Sequence, residues 1–249
     1  MRYFIELSYV GTPFVGWQRQ PAGDSVQSCL EDALSILFGK PLSIVGAGRT
    51  DAGVHAHQLY AHVDLDEHIG QDLTFRLNKL LPKEIAVNNI ISVSQDAHAR
   101  FDAVSRIYRY LINKQKNPFL QKRSYHFAKP LDLDLMNQAA KILIDHEDFK
   151  CFSKSRTDVK TYVCDVQEAY WQQNGSELAF YIQANRFLRN MVRAIVGTLI
   201  EVGLRKISIS DFEAILRSRD RSQAGYSVPA HGLYLEKVTI QSIYLRHEF

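Results

Sequence analysis

Long apolar runs are missing from this 249-residue chain. Its most apolar helical stretch, FLRNMVRAIVGTLIEVGL (187–204), carries two arginines and a glutamate, too much charge for a membrane span. The opening MRYFIELSYV alternates apolar and polar residues and lacks the continuous apolar core of a secretory signal. Cysteine is scarce: Cys29, Cys151 and Cys164 make an odd count without a C-x-x-C pair. That argues against a disulfide framework and fits a reduced, cytoplasmic setting. Repeats, low-complexity tracts and flexible linkers are absent as well. What remains is an ordinary globular composition, 46% hydrophobic and 23% charged, long enough for one large domain or two closely packed ones.

Nor is there an excess of one charge, since the formal net is only +3. The distribution is another matter. Residues 98–125 hold seven Lys/Arg against one acid, 150–160 four against one, and 186–206 five against one, so the rest of the chain is net acidic. Segregation of this kind points to one basic face and a polyanionic partner, although three separate solvated faces would give the same counts.

Tyr3, Ile5, Leu7 and Tyr9 alternate along the opening and predict a half-buried strand, ended by a turn at Gly11-Thr12-Pro13. Ser25 can cap a helix with Val26, Leu30, Ala33, Leu34 and Leu37 on its apolar face and Gly39 as its stop. LSIVGA predicts a short strand entering the loop GRTDAG, HQLYAHVD a second strand, LTFRLNKLL a helix closed by Pro82, and IAVNNIISVS a third strand. AVSRIYRYLIN then reads as a strand, 132–145 as a helix with Leu135, Ala139 and Leu143 inward, and Asn174-Gly175 as a type I′ hairpin. A helix over 186–203, a capping box of Ser210 with Glu213, and a last strand in GLYLEKVTI complete the chain. Hairpins rather than strict β-α-β alternation make this α+β, with an N-terminal half 1–104 and a C-terminal half 105–249 around one largely antiparallel sheet.

The densest chemistry lies in GAGRTDAGVHAH (46–57). Three glycines within eight residues permit unusual backbone and close approach of a ligand, and they enclose Arg49, Thr50 and Asp51 at a strand end. A tight turn in which Asp51 bonds its own backbone would look the same. His55 and His57, two apart on a strand with His62 nearby, permit a zinc-hydrolase reading, but no matching ligand set follows downstream. SRIYRY puts Arg106, Tyr108 and Tyr110 on one strand face, a pairing of ring and guanidinium suited to an unpaired base flanked by phosphates. A half-exposed edge strand has the same pattern. RFLRNMVR sets Arg186, Arg189 and Arg193 on one helical stripe, a solvated one unless the last turns inward to hold a carboxylate bidentately.

Taken in order, these pieces resemble the bacterial tRNA pseudouridine synthase A (TruA) family over nearly the whole chain. VGWQRQP with VQSCLEDAL, HARFDAVSRIYRY, HEDFKCFS, NRFLRNMVRAIVG and AGYSVPAHGLYLEKV are similar to its successive motifs, and GRTDAGVHA is its signature. Departures are Ala97 where an aromatic is usual, Asp145 where glycine is common, Ser227-Val228 in place of Thr-Ala, and a divergent KSRTDVK at 154–160. The resemblance implies a pseudouridine synthase fold with a cleft between two α/β halves, a homodimer, and no cofactor or metal. It implies isomerisation of uridine at positions 38, 39 and 40 in the anticodon stem-loop of tRNA. Asp51 would be the nucleophile, Arg49 would help extrude the base, Tyr108 would stack on it, and Arg193 would pair with the aspartate. Segments that contact tRNA in the family would here contribute His98, Ala99, Arg100, Phe101 and Arg106, and Ser155, Arg156 and Thr157.

Pseudouridine formation breaks the C1′–N1 bond, turns the base, and rejoins it to the ribose through C5. Nothing is oxidised and no group is imported, so the chemistry demands neither a nucleotide cofactor nor a metal. One ionised carboxylate can attack the ring, attack the sugar or remove a sugar proton. Burial would raise its pKa, and an arginine partner opposes that rise. A uridine stacked in a stem must be flipped out before any side chain reaches it.

Overall fold

The computed structural model describes residues 1–66, 68–70, 72–155 and 159–241. The chain forms two compact units, Met1–Val104 together with the segment from Leu235 onward, and Ser105–Tyr234. Each combines helices with antiparallel strands, the expected α+β character.

In the first unit, β1 (Arg2–Tyr9) is followed by α1 (Val26–Phe38), β2 (Ile44–Gly46), β3 (His55–Asp64), α2 (Leu73–Leu80) and β4 (Ile85–Val93). Strand β1 lies antiparallel between β3 and β4, and β2 pairs with β3. The simple alternation read from the opening understates its burial. Phe4, on the face opposite Ile5, is fully buried too, its ring 6.3 Å from that of His62. Arg2, Glu6 and Ser8, on the same face as Phe4, stay partly exposed. Helix α1 begins where Ser25 predicts, but the capping box is completed by Ser28, whose hydroxyl accepts the Ser25 N–H. Gly39 ends it in the left-handed conformation, φ 66°.

In the second unit, β5 (Ala103–Asn113), β6 (Tyr125–His126), α3 (Leu133–Ile142), β7 (Val166–Asn174), β8 (Glu177–Ala184), α4 (Met191–Gly203) and α5 (Ile209–Ser218) follow in order. Strand β8 pairs antiparallel with both β5 and β7, while the two-residue β6 runs parallel to β5. Helix α3 packs on β7, and α3, α4 and α5 pack on one another over a core that includes Phe149, Phe152, Phe180 and Phe212. The closing strand β9 (Leu233–Ile240) returns beside β3.

Three boundaries differ from expectation. Asn174 pairs with Glu177, so the two loop positions are Gly175 and Ser176. Gly175 takes φ 57° and Ser176 stays out of the left-handed region, the type II′ pattern rather than I′. Ser208 with Asp211, not Ser210 with Glu213, forms the capping box of α5. The sequence SISDFE contains the S-x-x-acid spacing twice, and the first lets Phe212 and Leu216 face the core. Helix α4 starts at Met191, because Asn190 is left-handed at φ 67°, with a turn at 189–190 and irregular backbone over 186–188 before it. The arginine stripe is thereby broken: only Arg193 is helical.

Candidate active site and nucleic-acid interface

Residues 47–54 leave β2 and return into β3 as a loop whose backbone is held from below by the segment after β1. Trp17 N–H donates to the Thr50 carbonyl (3.1 Å), and the Thr50 hydroxyl, buried, meets that of Tyr9 at 2.8 Å. Val54 N–H closes a turn onto the Asp51 carbonyl (3.1 Å). Two glycines make this close packing possible. Gly11 lies so near that a Cβ there would sit 1.9 Å from the Val54 carbonyl oxygen. At Gly16, φ is 106° and a Cβ would meet the Thr50 carbonyl oxygen at 2.7 Å. Asp51 is half-buried on this platform, and Arg49 is exposed two residues before it. None of the bracing residues Tyr9, Gly11, Gly16 or Trp17 is visible as functional in sequence, because the pairing of two glycines with a distant loop appears only in space.

Gly16→Ala should therefore do more than its small volume suggests. A left-handed glycine replaced by alanine costs more than about 1 kcal/mol, and here the new methyl also pushes on the backbone carrying Asp51. The expected result is a lower Tm by thermal melt with a rate loss larger than the unfolded fraction explains. Wild-type turnover by the alanine variant would show that the bracing does not position the loop.

The histidines serve structure. The register of β1 on β3 shifts between Leu7 and Tyr9, and the irregularity places His55 inside and His57 outside. His55 Nδ1 accepts the Gly11 N–H (3.1 Å), tying the same glycine to the strand that follows the loop. His57, mostly exposed, lies 3.9 Å from Glu236. The two imidazoles do not share a face, and no metal-holding group of three or more His, Cys, Asp or Glu occurs among the described residues. All three cysteines are unpaired, and burial pushes the thiols of Cys151 and Cys164 up to about 12 and about 11, leaving them unreactive at neutral pH.

His62 anchors the 97–102 loop. Burial first, and the Arg2 charge second, lower its pKa to about 4, so the neutral ring accepts the Ala99 N–H at Nδ1 (3.1 Å). Its edge meets the His98 ring at 4.7 Å, and His98 in turn packs on Phe101 at 4.1 Å. His98 Nδ1 also receives the N–H groups of Arg100 (3.2 Å) and Phe101 (3.3 Å), and the His98 backbone N–H donates to Asp102 Oδ2 (2.6 Å). From below, Arg2 forks onto Asp64 and donates to the Ala97 carbonyl. Ala97 is fully buried there, where a larger side chain would displace this contact. The outcome is a preformed loop presenting Arg100 and a 76%-exposed Phe101 to solvent, while Ala99 is buried and contributes backbone alone.

In the second unit, Arg106 and Tyr108 are half-buried on β5, but Tyr110 belongs to the core and donates its hydroxyl to the Pro229 carbonyl (2.8 Å). Arg106 donates to the Asn185 carbonyl (2.8 Å), and the Tyr108 ring stands edge-on to Phe187, 5.0 Å away. On α4, Arg193 Nε donates to the Val228 carbonyl (2.7 Å), and Val228 N–H returns to the Arg193 carbonyl (3.2 Å). The Gly225–Val228 strap lies directly on the helix: a Cβ at Gly197 would be 1.8 Å from the Tyr226 carbonyl oxygen. Thr198 Oγ1 accepts the Gly225 N–H (2.9 Å) and fixes the strap's start. Ser155 is exposed; Arg156 and Thr157 lie outside the described residues.

The family model described as tRNA pseudouridine synthase matches residues 7–102 and 139–239. The chain belongs to the tRNA pseudouridine synthase family, a family of isomerases. It is 54% identical over 241 residues to tRNA pseudouridine synthase A of Parabacteroides distasonis, covering 96% of this chain and 95% of that protein. The proteins of the same name from Porphyromonas gingivalis and Staphylococcus aureus are 51% and 36% identical, over 97% and 100% of this chain and 98% and 96% of their own.

Proposed function

We propose that the chain converts uridine to pseudouridine at positions 38, 39 and 40 in the anticodon stem-loop of tRNA, by an Asp51-dependent, cofactor-free route with base flipping. The reading is carried by the glycine-braced Asp51 loop in a chain of this family. A carboxylate that attacks the nucleotide has to be held in place and kept partly from water, and the Gly11 and Gly16 contacts supply a rigid support for that. Arg193 is the charge partner of Asp51, and the target base enters the cleft that the family resemblance implies between the two halves. Arg49, exposed on the same loop, helps extrude the base, which costs a few kcal/mol of unstacking. Tyr108 stacks on the flipped uridine. Arg100, Phe101 and Arg106, with the backbone at His98 and Ala99 and the segment Ser155, Arg156 and Thr157, hold the RNA by phosphate and shape. The enzyme works as a cytoplasmic homodimer.

The test is tritium release from tRNA labelled with [5-³H]uridine. Joining the base to ribose through C5 displaces the hydrogen there, so wild-type protein should free tritium to solvent. Tight tRNA binding without release would reduce the chain to an RNA-binding module.

Tyr108 works through its ring in this scheme. Tyr108→Ala should lose about 1–3 kcal/mol of base stacking, while Tyr108→Phe keeps tRNA binding and isolates any rate effect of the hydroxyl. Near-wild-type single-turnover rates in both variants would remove Tyr108 from the site.

A further inference from the structure

Beyond β5 lies a surface that the proposed site does not use. The ten residues Lys114 to Arg123, KQKNPFLQKR, contain four cations (Lys114, Lys116, Lys122, Arg123) and no acid. At their centre Phe119 is 88% exposed, more than any other large apolar side chain among the described residues. A bulky ring on a soluble surface is unexceptional when it is loose and isolated, but this one is held out. Asn117 Oδ1 accepts the Phe119 N–H (2.9 Å), and Pro118 opens the short helical turn Pro118–Leu120 with its φ fixed by the ring. The Leu120 carbonyl then takes both the Arg123 N–H (3.0 Å) and the Ser124 N–H (3.2 Å), and the Tyr234 hydroxyl donates to the Arg123 carbonyl. Between them Lys122 is forced to φ 57°, a left-handed backbone that disfavours lysine.

The position of Lys122 gives this geometry a direction. His231 has its pKa lowered first by burial, and then by the charges of Arg193 and Lys122 together. The loop thus places a lysine within electrostatic reach of the same imidazole as Arg193, inside one compact unit. Cations flanking a rigid, outward ring suit single-stranded RNA: phosphates pair with the ammonium and guanidinium groups, and any base presents a face for stacking.

We propose that the 114–123 loop is a tRNA-docking surface in which Lys116, Lys122 and Arg123 hold phosphates and Phe119 stacks on an unpaired anticodon-loop base. This rests on the tRNA reading of the active site, and the experiment keeps the two apart. Wild type, Phe119→Ala, Lys116→Gln and Lys122→Gly are compared for tRNA affinity by fluorescence anisotropy at several salt concentrations, for Tm, and for tritium release. Glycine suits the left-handed backbone at 122, so Lys122→Gly should melt at or above the wild-type temperature while losing its charge. Phe119→Ala should bind at least about fivefold more weakly. Each lysine variant should lower the salt slope of log K by about one per phosphate contact removed. Wild-type affinity and slope in all three variants, with Tm intact, overturn the docking surface and leave the loop to another partner. Absence of tritium release by the wild type itself overturns the isomerase reading, and the binding data still decide the loop.

Discussion

Asp51→Asn is expected to fold, to bind tRNA with wild-type affinity and to form no pseudouridine above background. The hydrogen bonds that shape its loop run through backbone and neighbours: Trp17 N–H to the Thr50 carbonyl, Val54 N–H to the Asp51 carbonyl, and the Tyr9–Thr50 hydroxyl pair. None of these needs the Asp51 carboxylate, so an isosteric amide leaves them in place. What it removes is the negative charge and the nucleophilic lone pair. All three routes open to the carboxylate, attack on the ring, attack on the sugar or removal of a sugar proton, require the ionised form. Loss of a group on which every step depends gives a fall of at least about a thousandfold, about 4 kcal/mol of transition-state stabilisation. Single-turnover tritium release measured beside tRNA affinity and Tm separates this from unfolding. Substantial product from the amide variant would take the carboxylate out of the chemistry, whatever the loop looks like.

The contrast between the loop that carries Asp51 and the residues that brace it shows how far local sequence signals reach. Periodicity and capping located nearly every helix and strand, since Ser25, Gly39, Pro82 and the alternation in AVSRIYRYLIN act on their own neighbours. The loop carrying Asp51 was legible for a similar reason: its glycines and polar residues are contiguous. Gly11 and Gly16 were not, because their meaning depends on a carbonyl some forty residues away that only packing brings to them. The two-residue spacing of His55 and His57 does not put both rings on one face, because a register shift in the β1–β3 pairing undoes that periodicity. The arginine stripe misled because Asn190 takes the left-handed conformation, a non-local choice fixed partly by its side chain's bond to Ser227 (2.7 Å). Tyr110 looked like a partner of Tyr108, yet its hydroxyl is consumed by Pro229, a contact across more than a hundred residues.

Arg193 offers the second large effect, and a way to tell electrostatic support from mere packing. It stands in the first turn of α4, with Nε tied to the Val228 carbonyl at 2.7 Å and the Val228 N–H tied back to its own carbonyl. The first tie holds the guanidinium at the strap through Nε, and the second holds the strap to the helix backbone. If the anion is Asp51, as proposed, deleting the arginine strands a sheltered charge at a cost of about 3–5 kcal/mol. Arg193→Ala should accordingly lose activity and stability together, an outcome that a packing residue would also produce. Arg193→Lys discriminates. Its single ammonium cannot serve both the Val228 carbonyl and a carboxylate in the fork's geometry, so Tm should stay near the wild-type value while kcat falls at least about tenfold, or about 1.4 kcal/mol. Wild-type kcat in Arg193→Lys, with Tm unchanged, would make Arg193 a support for the Val228 strap and nothing more.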